Sequence, residues 1–493
     1  MTYEWSLEEL GQIVTGKTPP KAVNNAYSES GVPFLTPKDM NGSKWILTTE
    51  RSLSEDGVNT VRKSLVPAGS IAVSCIGSDM GKAVRMPVDS VTNQQINTIT
   101  PDAEKCDPDF LYYLLSTMQQ DLKDIAGGSA TPILNKGHFG KVRVRLPDPS
   151  YQNQAAKVLS GLDDKIQLNQ KINLTLEQMA QAIFKSWFVD FDPVKAKIAA
   201  RERWYAMQPT GEPASPVCYA DNVGPLPGLE TWMNLAAMQA ISGKNEVELN
   251  RLQAEQPKEY AELRATAELF PSTMQDSELG MIPEGWNPLP LYETAEYVNG
   301  AAFKAKDFSV NGSGLPIIKI AELKQGISAG TKYTNADVKE KYRIADGSVL
   351  YSWSGSPETS LEVFKWFGGE GWLNQHIFKL NFAKGQSEHF TYFLLKQMKP
   401  LLVRTAQQKQ TTGLGHITVA DMKRIKVPYP SPELLSAFSE NIGPLYSRSS
   451  NAVCESKTLA NLRDTLLPKL LSGELSVTGA EAPTQGSAEI AHA

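Results

Sequence analysis

The chain says nearly the same thing twice. A segment beginning near Trp5 recurs near Trp286, and the echo continues in order. Thr15-Gly16 returns as Asn299-Gly300, Val32-Pro33-Phe34 as Leu315-Pro316-Ile317, and Ala68-Gly69-Ser70-Ile71 as Asp346-Gly347-Ser348-Val349. Asn93-Gln94 returns as Asn374-Gln375, Gly137-His138-Phe139 as Gly415-His416-Ile417, and Val144-Arg145-Leu146-Pro147 as Ile425-Lys426-Val427-Pro428. Each copy then runs into a long helical stretch, Tyr151–Asp190 and Pro432–Leu475. The repeat is too long for a solenoid unit and reads as two homologous domains. Glycines, prolines and asparagines recur while the residues between them differ, as expected of one scaffold presenting two surfaces.

The expected fold class is mixed α/β (α+β): two globular domains joined by two long antiparallel helices, a coiled-coil spacer in a pseudo-two-fold repeat. Short β-branched runs such as Ile71-Ala72-Val73, Asn97–Thr100 and Val142-Arg143-Val144 lie between turn residues and predict strands. Helical spacing predicts helices over Pro108–Ile125 and, in the second copy, Glu388–Leu402. The expected division is 1–150 and 285–431 for the two homologous globular domains, 151–195 and 432–475 for the helical spacers, 196–284 for a helical insert, and 476–493 for a disordered tail. The insert is expected to break in a Pro/Gly-rich loop at Pro209–Pro227 and to resume as helix over Lys244–Phe270.

Both spacer helices carry apolar residues three and four apart: Ala155, Leu159, Leu162, Ile166, Ile172, Leu176, Met179 and Ile183 in one, Phe438, Ile442, Leu445, Leu459, Leu462 and Leu466 in the other. Such a stripe needs a partner, and the other copy's helix is the expected one; packing on its own globular domain is the alternative. Gly443-Pro444 and Pro468 are expected to weaken the second helix locally. Forty residues of helix would span roughly 60 Å.

Composition narrows the chemistry. With 41% hydrophobic and 21% charged residues this is an ordinary globular composition, with no apolar run of membrane length and no basic-then-apolar leader. The four cysteines are scattered without a Cys-x-x-Cys pair, which fits reduced thiols and a cytoplasmic address. No phosphate loop, dinucleotide turn or His-Glu-x-x-His is present, and the five histidines do not cluster, so neither catalysis nor a metal site is expected. Asn287-Pro288-Leu289-Pro290 lacks the adjacent prolines and following aromatic of an amino-methyltransferase motif. The net charge of −5 conceals two basic stretches, Lys136–Arg145 and Lys396–Lys426, which read either as solvated surface or as phosphate contacts.

Three strings make the pattern specific: LDDKIQLNQKINLTLEQMAQAIFKSWFVDFDP from Leu162 to Pro193, SELGMIPEGW from Ser277 to Trp286, and LLPKLLSGEL from Leu466 to Leu475. In their order and spacing the chain resembles the DNA-specificity subunit of type I restriction-modification systems over nearly its whole length. The resemblance implies a subunit that is not itself an enzyme. Each domain would read one half of a split, asymmetric site in double-stranded DNA, and the helices would set the gap. The same helices would dock two methyltransferase subunits, which carry S-adenosylmethionine; two motor-nuclease subunits would bring ATP and Mg. The residues expected on the helices for spacing and docking are Leu159, Leu162, Ile166, Leu176, Ile183, Trp187, Phe438, Ile442, Leu459, Leu466 and Leu470.

Candidate DNA-contacting loops come in matched pairs, rich in the side chains that read base edges or hold phosphates. Lys17, Thr18 and Lys21 correspond to the loop bearing Lys304 and Lys306. Ser74, Ser78 and Lys82 correspond to Trp353 and Ser354, and Ser129, Thr131 and Lys136 to Gln408, Lys409, Gln410 and Thr412. Glycine-rich turns of this kind also occur purely for chain reversal. Two other readings stay open at this point. One is a specificity module of a related modification or defence assembly without restriction; the other is a pseudo-symmetric protein-interaction scaffold with no DNA role.

Overall fold

The computed structural model describes residues 2–40, 42–77, 80–127, 133–207, 228–409 and 415–475. It divides into two compact units, one comprising Met1–Asn169 with Glu455–Ala493, the other Gln170–Cys454.

In the first unit, a four-stranded antiparallel sheet runs in the order Gly11–Thr15, Ile96–Pro101, Ile71–Ser74, Ala83–Arg85. Its central strand Ile71–Ser74 is buried on both faces. Ile71 and Val73 join the core under helix Pro108–Thr117, whereas Ala72 joins Leu35, Met40, Ile46, Val84, Met86 and Ile96 on the other side. That explains why the strand reads as a continuous apolar run rather than an alternation. The second sheet of this unit contains a parallel pair, Phe34 opposite Val91 and Leu35 opposite Thr92. Strand Thr2–Ser6 closes the unit against Arg143–Pro147, whose exposed and buried residues alternate strictly before the first long helix begins.

The second unit repeats this plan. Its four-stranded sheet has the order Glu296–Asn299, Ile377–Asn381, Val349–Ser352, Glu362–Lys365. Its parallel pair sets Ile317 opposite Trp372 and Ile318 opposite Leu373. Asn287–Pro290 pairs with Lys426–Tyr429, so the Asn-Pro-Leu-Pro string is the closing strand of a domain.

Strand pairing gives the true register of the repeat. The Leu7 amide donates to Val142 O at 3.1 Å, and the Leu291 amide to Ile425 O at 2.8 Å. Trp5 therefore matches Leu289 rather than Trp286, and Val144 matches Val427 rather than Ile425. In the same way Leu134 donates to Cys75 O and Ile417 to Trp353 O, both at 2.9 Å. His138 lies on the short helix Lys136–Gly140 and His416 on the strand Gly415–His416, so the two histidines are not equivalent. The slip at Val144 is two residues, which keeps each side chain on its face and leaves the apolar pattern unable to expose it. The other four matches hold as read.

Helix Pro108–Thr117 starts where Asp107 accepts the amides of Asp109 and Phe110, both at 2.9 Å. The helix expected to reach Ile125 breaks at Met118 and restarts as Gln119–Ile125. The restart brings Gln119 Nε2 to 3.0 Å from Met80 O, beside Gly81 at φ +88°, where a Cβ would lie 2.8 Å from Gln119 Cα. In the second unit the corresponding helix runs beyond Leu402, from Glu388 to Gln407, with Pro400 inside it.

The long helices are Pro149–Phe188 and Pro432–Ser472; the second continues through Pro444 and Pro468. Within each unit they run antiparallel. In the first, Tyr151 Oη donates to Leu470 O at 3.0 Å, Arg463 Nη1 meets Asp163 Oδ1 at 2.7 Å, and Asn169 Nδ2 meets Glu455 Oε2 at 2.7 Å. In the second, Asn173 faces Ser449, and Phe184 packs on Phe438 with ring centroids 6.0 Å apart. The apolar stripe is thus interrupted by a polar seam. Ala155, Leu159, Leu176, Phe438, Ile442 and Leu470 are buried; Leu162, Ile166, Ile172, Ile183, Leu445, Leu459 and Leu466 are half-buried. Met179 and Leu462 are exposed, against expectation. Trp187 is fully buried, in an aromatic cluster with Phe188, Phe270 and Phe438.

The insert forms helices Asp192–Met207, Leu229–Ser242, Glu246–Glu255 and Pro257–Glu268 around a small core of Ala237, Met238, Leu249 and Ala267. The single helix expected over Lys244–Phe270 is split by Pro257, which takes the first position of the next helix. The loop expected at 209–227 and the tail at 476–493 lie outside the described residues. Lys197 is buried and donates to Phe270 O at 2.6 Å, tying the insert's first helix to the end of its last. Among the described residues no helix is long and apolar enough to cross a membrane, and no His, Cys, Asp and Glu cluster could hold a metal.

Candidate nucleic-acid interface

In each unit, four segments meet at one end of the central sheet, and main-chain atoms hold them. In the first unit the turn Asn93–Ile96 closes with Ile96 N donating to Asn93 O at 3.1 Å. Gly16 N donates to Ile96 O at 3.0 Å and Lys17 N to Thr92 O at 2.8 Å; Cys75 N donates to Gln95 O at 2.7 Å. In the second unit Ile377 N donates to Asn374 O at 3.2 Å, Gly300 N to Ile377 O at 3.0 Å, Ala301 N to Leu373 O at 2.8 Å and Trp353 N to His376 O at 3.3 Å. Ile76 then bridges Ile133, as Ser354 pairs with His416.

Glycine is needed where the first segment crosses the turn. A Cβ on Gly16 would lie 2.1 Å from Asn93 O, and one on Gly300 2.2 Å from Asn374 O. The recurrence of Asn93 and Gly16 as Asn374 and Gly300 is the trace of this contact in the sequence. A buried amide secures the first tip: Asn97 Nδ2 donates to Leu134 O at 3.0 Å, while Thr15 Oγ1 donates to its Oδ1 at 2.7 Å. The second tip is secured by an aromatic: Trp353 Nε1 donates to Asn299 Oδ1 at 3.1 Å and its ring packs on Phe378 and His376.

The side chains on these equivalent frames differ. Lys17, Thr18, Cys75, Ile76, Gln95 and Ile133 in the first unit stand where the second has Ala301, Ala302, Trp353, Ser354, His376 and His416. The structure brings Lys17, Thr18 and Lys136 to the first tip and Trp353 and Ser354 to the second. Thr18 Oγ1 donates to Gln94 Oε1 at 2.5 Å. Lys21, Lys304, Lys306 and Gln408 are exposed on neighbouring loops. Ser74 is fully buried and its Oγ accepts the Lys82 amide at 3.0 Å, so it braces the loop from within; Lys82 is half-buried. Ser78, Ser129, Thr131, Gln410 and Thr412 lie outside the described residues. The exposed turn residues Gln94, Gln375 and His376 were missed as candidates, although the recurring Asn-Gln pair marks the turn.

The two basic stretches behave differently. In Lys396–Lys426, Lys396 pairs with Glu177 at 2.7 Å, Lys399 pairs with Glu362, and Lys426 pairs with Glu278 at 2.6 Å. Lys409 and Arg424 share Asp421 at 2.6 and 3.3 Å. Burial pushes the Asp421 carboxyl upward, but Lys409 and the Thr418 hydroxyl and amide outweigh it and hold it down at about 2. The positive charge of that stretch is therefore largely spent inside its own unit. In the first stretch Lys136, Lys141, Arg143 and Arg145 are all exposed, the two arginines on one face of the closing strand, and Arg143 meets Glu9 only at 3.8 Å. That ribbon stays available to phosphates.

The family described as type I restriction modification DNA specificity domain matches residues 3–178 and 283–434. The chain belongs to the type I restriction-modification DNA specificity family. Both copies of the repeat are covered by the match, so the internal repeat is the family's own. The specificity subunit of the type I restriction enzyme HindI from Haemophilus influenzae is 29% identical across 92% of this chain and 95% of its own length. The type I restriction enzyme MjaIX specificity subunit of Methanocaldococcus jannaschii is 23% identical across 96% of this chain and 93% of its own. The crystal structure of a type I restriction-modification system S subunit from M. genitalium covers 95% of this chain and 96% of its own, at 13% identity and a TM-score of 0.46. Specificity subunits are the non-catalytic members of type I restriction-modification complexes, and this chain is one of them by family. Residues 179–282, which hold most of the insert, lie outside the family match.

Proposed function

We propose that this chain selects the DNA sequence on which a type I restriction-modification complex acts. Each recognition domain, 1–150 and 285–431, reads one half of a split, asymmetric site in double-stranded DNA through the tip of its central sheet. The observation that carries this reading is the pair of tips: the same main-chain hydrogen bonds, dressed with different side chains. One frame with two side-chain sets suits two half-sites that differ in sequence. Exposed Lys17, Lys136, Lys141 and Arg145 contact phosphates, which position without specifying.

In this reading the spans 151–195 and 432–475 fix the unread gap, at about 3.4 Å of DNA per base pair. Their outward residues dock two methyltransferase subunits, which bring S-adenosylmethionine, and two motor-nuclease subunits add ATP and Mg. The residues of this chain bind and orient; bond-making belongs to the partners. Mapping adenine methylation in a methylation-free host that carries this gene and its methyltransferase partner tests the proposal. A split motif of fixed gap, with one half changed by substitutions in one tip, supports it. A stable complex that leaves no split motif overturns it.

A further inference from the structure

One exposed tip position is the same in both units although its neighbours have diverged. Gln94 and Gln375 each follow the buried asparagine that opens the turn, and both side chains stand in solvent. The asparagines have a duty in the frame: their carbonyls close the turns, and Asn93 Oδ1 also accepts the Gln95 amide at 3.1 Å. The glutamine side chains close neither turn: Ile96 N donates to Asn93 O and Ile377 N to Asn374 O. Around them Gln95 has become His376, Cys75 has become Trp353, and Ile133 has become His416.

Each glutamine is oriented by a different neighbour. Thr18 Oγ1 donates to Gln94 Oε1 at 2.5 Å, and Ala302 in the other unit offers no hydroxyl. There the Nε2 atoms of Gln375 and His376 lie 3.3 Å apart, so the imidazole holds the carboxamide by its nitrogen. Two unrelated supports for one retained amide point to a requirement on the amide itself. A carboxamide is uncharged, so it is a poor phosphate anchor. Its paired acceptor and donor match the N6 amino group and N7 of adenine in the major groove.

We propose that Gln94 and Gln375 each read an adenine, one in each half-site, while the divergent residues around them read the bases by which the half-sites differ. The inference rests on the reading that each domain recognises one half of a split DNA site. Gln94→Ala and Gln375→Ala in the full chain, co-expressed with its methyltransferase partner, test it by methylation mapping. Gln94→Ala relaxes the requirement at one A·T pair of the first half-site, with discrimination there falling between roughly 5- and 150-fold, and leaves the second half-site as it was. Gln375→Ala does the converse. An unchanged motif, or modification weakened evenly at all sequences, overturns the inference. A separate chain carrying His376→Gln and His416→Ile, with Trp353 left to secure the tip, tests the underlying reading. If that exchange alters the second half-site and the glutamine variants do not, only the adenine assignment fails; if neither has any effect, the half-site reading fails as well. Unaltered thermal unfolding of the glutamine variants excludes misfolding as the cause.

Discussion

The hydroxyl of Tyr113 donates to Asp163 Oδ2 at 2.6 Å, and the other oxygen of that carboxylate takes Arg463 Nη1 at 2.7 Å. One carboxylate thus joins the helix Pro108–Thr117 of the first unit to both long helices. Lys44 extends the network, reaching Ser160 Oγ at 2.8 Å and Asp109 at 2.7 Å. In the second unit, at the place of Asp163, Tyr446 carries Lys365 Nζ 3.7 Å above its ring and donates to Glu388 at 3.1 Å. The same joint is a carboxylate–guanidinium pair in one copy and a tyrosine set against a Lys365–Glu388 pair in the other.

Asp163→Ala strips the half-buried Arg463 guanidinium of its interhelical partner and leaves it only Asp464 at 2.7 Å, a change that costs about 1.5–3 kcal/mol. We expect a urea midpoint lowered accordingly. Restoration of stability by the double variant Asp163→Leu with Arg463→Met would establish that the stranded charge is what hurts. A loss below about 1 kcal/mol for the single variant would contradict the role given to this pair.

Gly16→Ala and Gly300→Ala force a methyl group against carbonyl oxygens of Asn93 and Asn374 at 2.1 and 2.2 Å. Neither neighbour is a flexible side chain, so the frame itself must shift, at about 1–3 kcal/mol. Hydrogen exchange reports this locally: protection of the Ile96 amide falls in the first variant and of Ile377 in the second, each without the other.

Asp421 gives the second unit an acid limit. Its folded carboxyl titrates at about 2, below the roughly 3.9 of an unfolded aspartate, so the folded state favours the ionised form. The stabilisation is therefore fully present above about pH 4 and drains away as pH falls toward 2. Comparison of acid unfolding in the wild type and Asp421→Asn checks the sign: the variant lacks this part of the pH dependence and is less stable at pH 7.

Burial pushes the thiol of Cys75 up to about 11 and, with Asp107 and Asp102 nearby, that of Cys106 up to about 12. Iodoacetamide at pH 8 should modify the exposed Cys454 and spare both until the chain unfolds. Peptide mass measurement after timed quenching follows each site.

Much of the duplication was legible because tight turns constrain residue type. Gly16, Gly69 and Asn93 are recoverable from a string because a side chain collides there, a positive φ is required, or a turn must close. Register along the closing strands was not legible, since a two-residue slip preserves the inside–outside pattern between Val144 and Val427. Nor was the fate of the second basic stretch. Lys396 meets Glu177 across 219 residues of chain, and no local pattern announces such a partner. The polar seam of the long helices escaped for the opposite reason: Asp163 and Asn169 look like surface residues until a second helix covers them.

Because the four segments of each tip are joined through main-chain amides and carbonyls, several of the side chains displayed there can change without breaking those bonds. Substitution at Ile76, Gln95 or Ile133 touches none of the bonds that define the frame. Mutation can therefore rewrite the displayed chemistry without first passing through an unfolded or half-folded ancestor. A lineage under pressure to change its target inherits a stage on which the cast can be replaced one actor at a time.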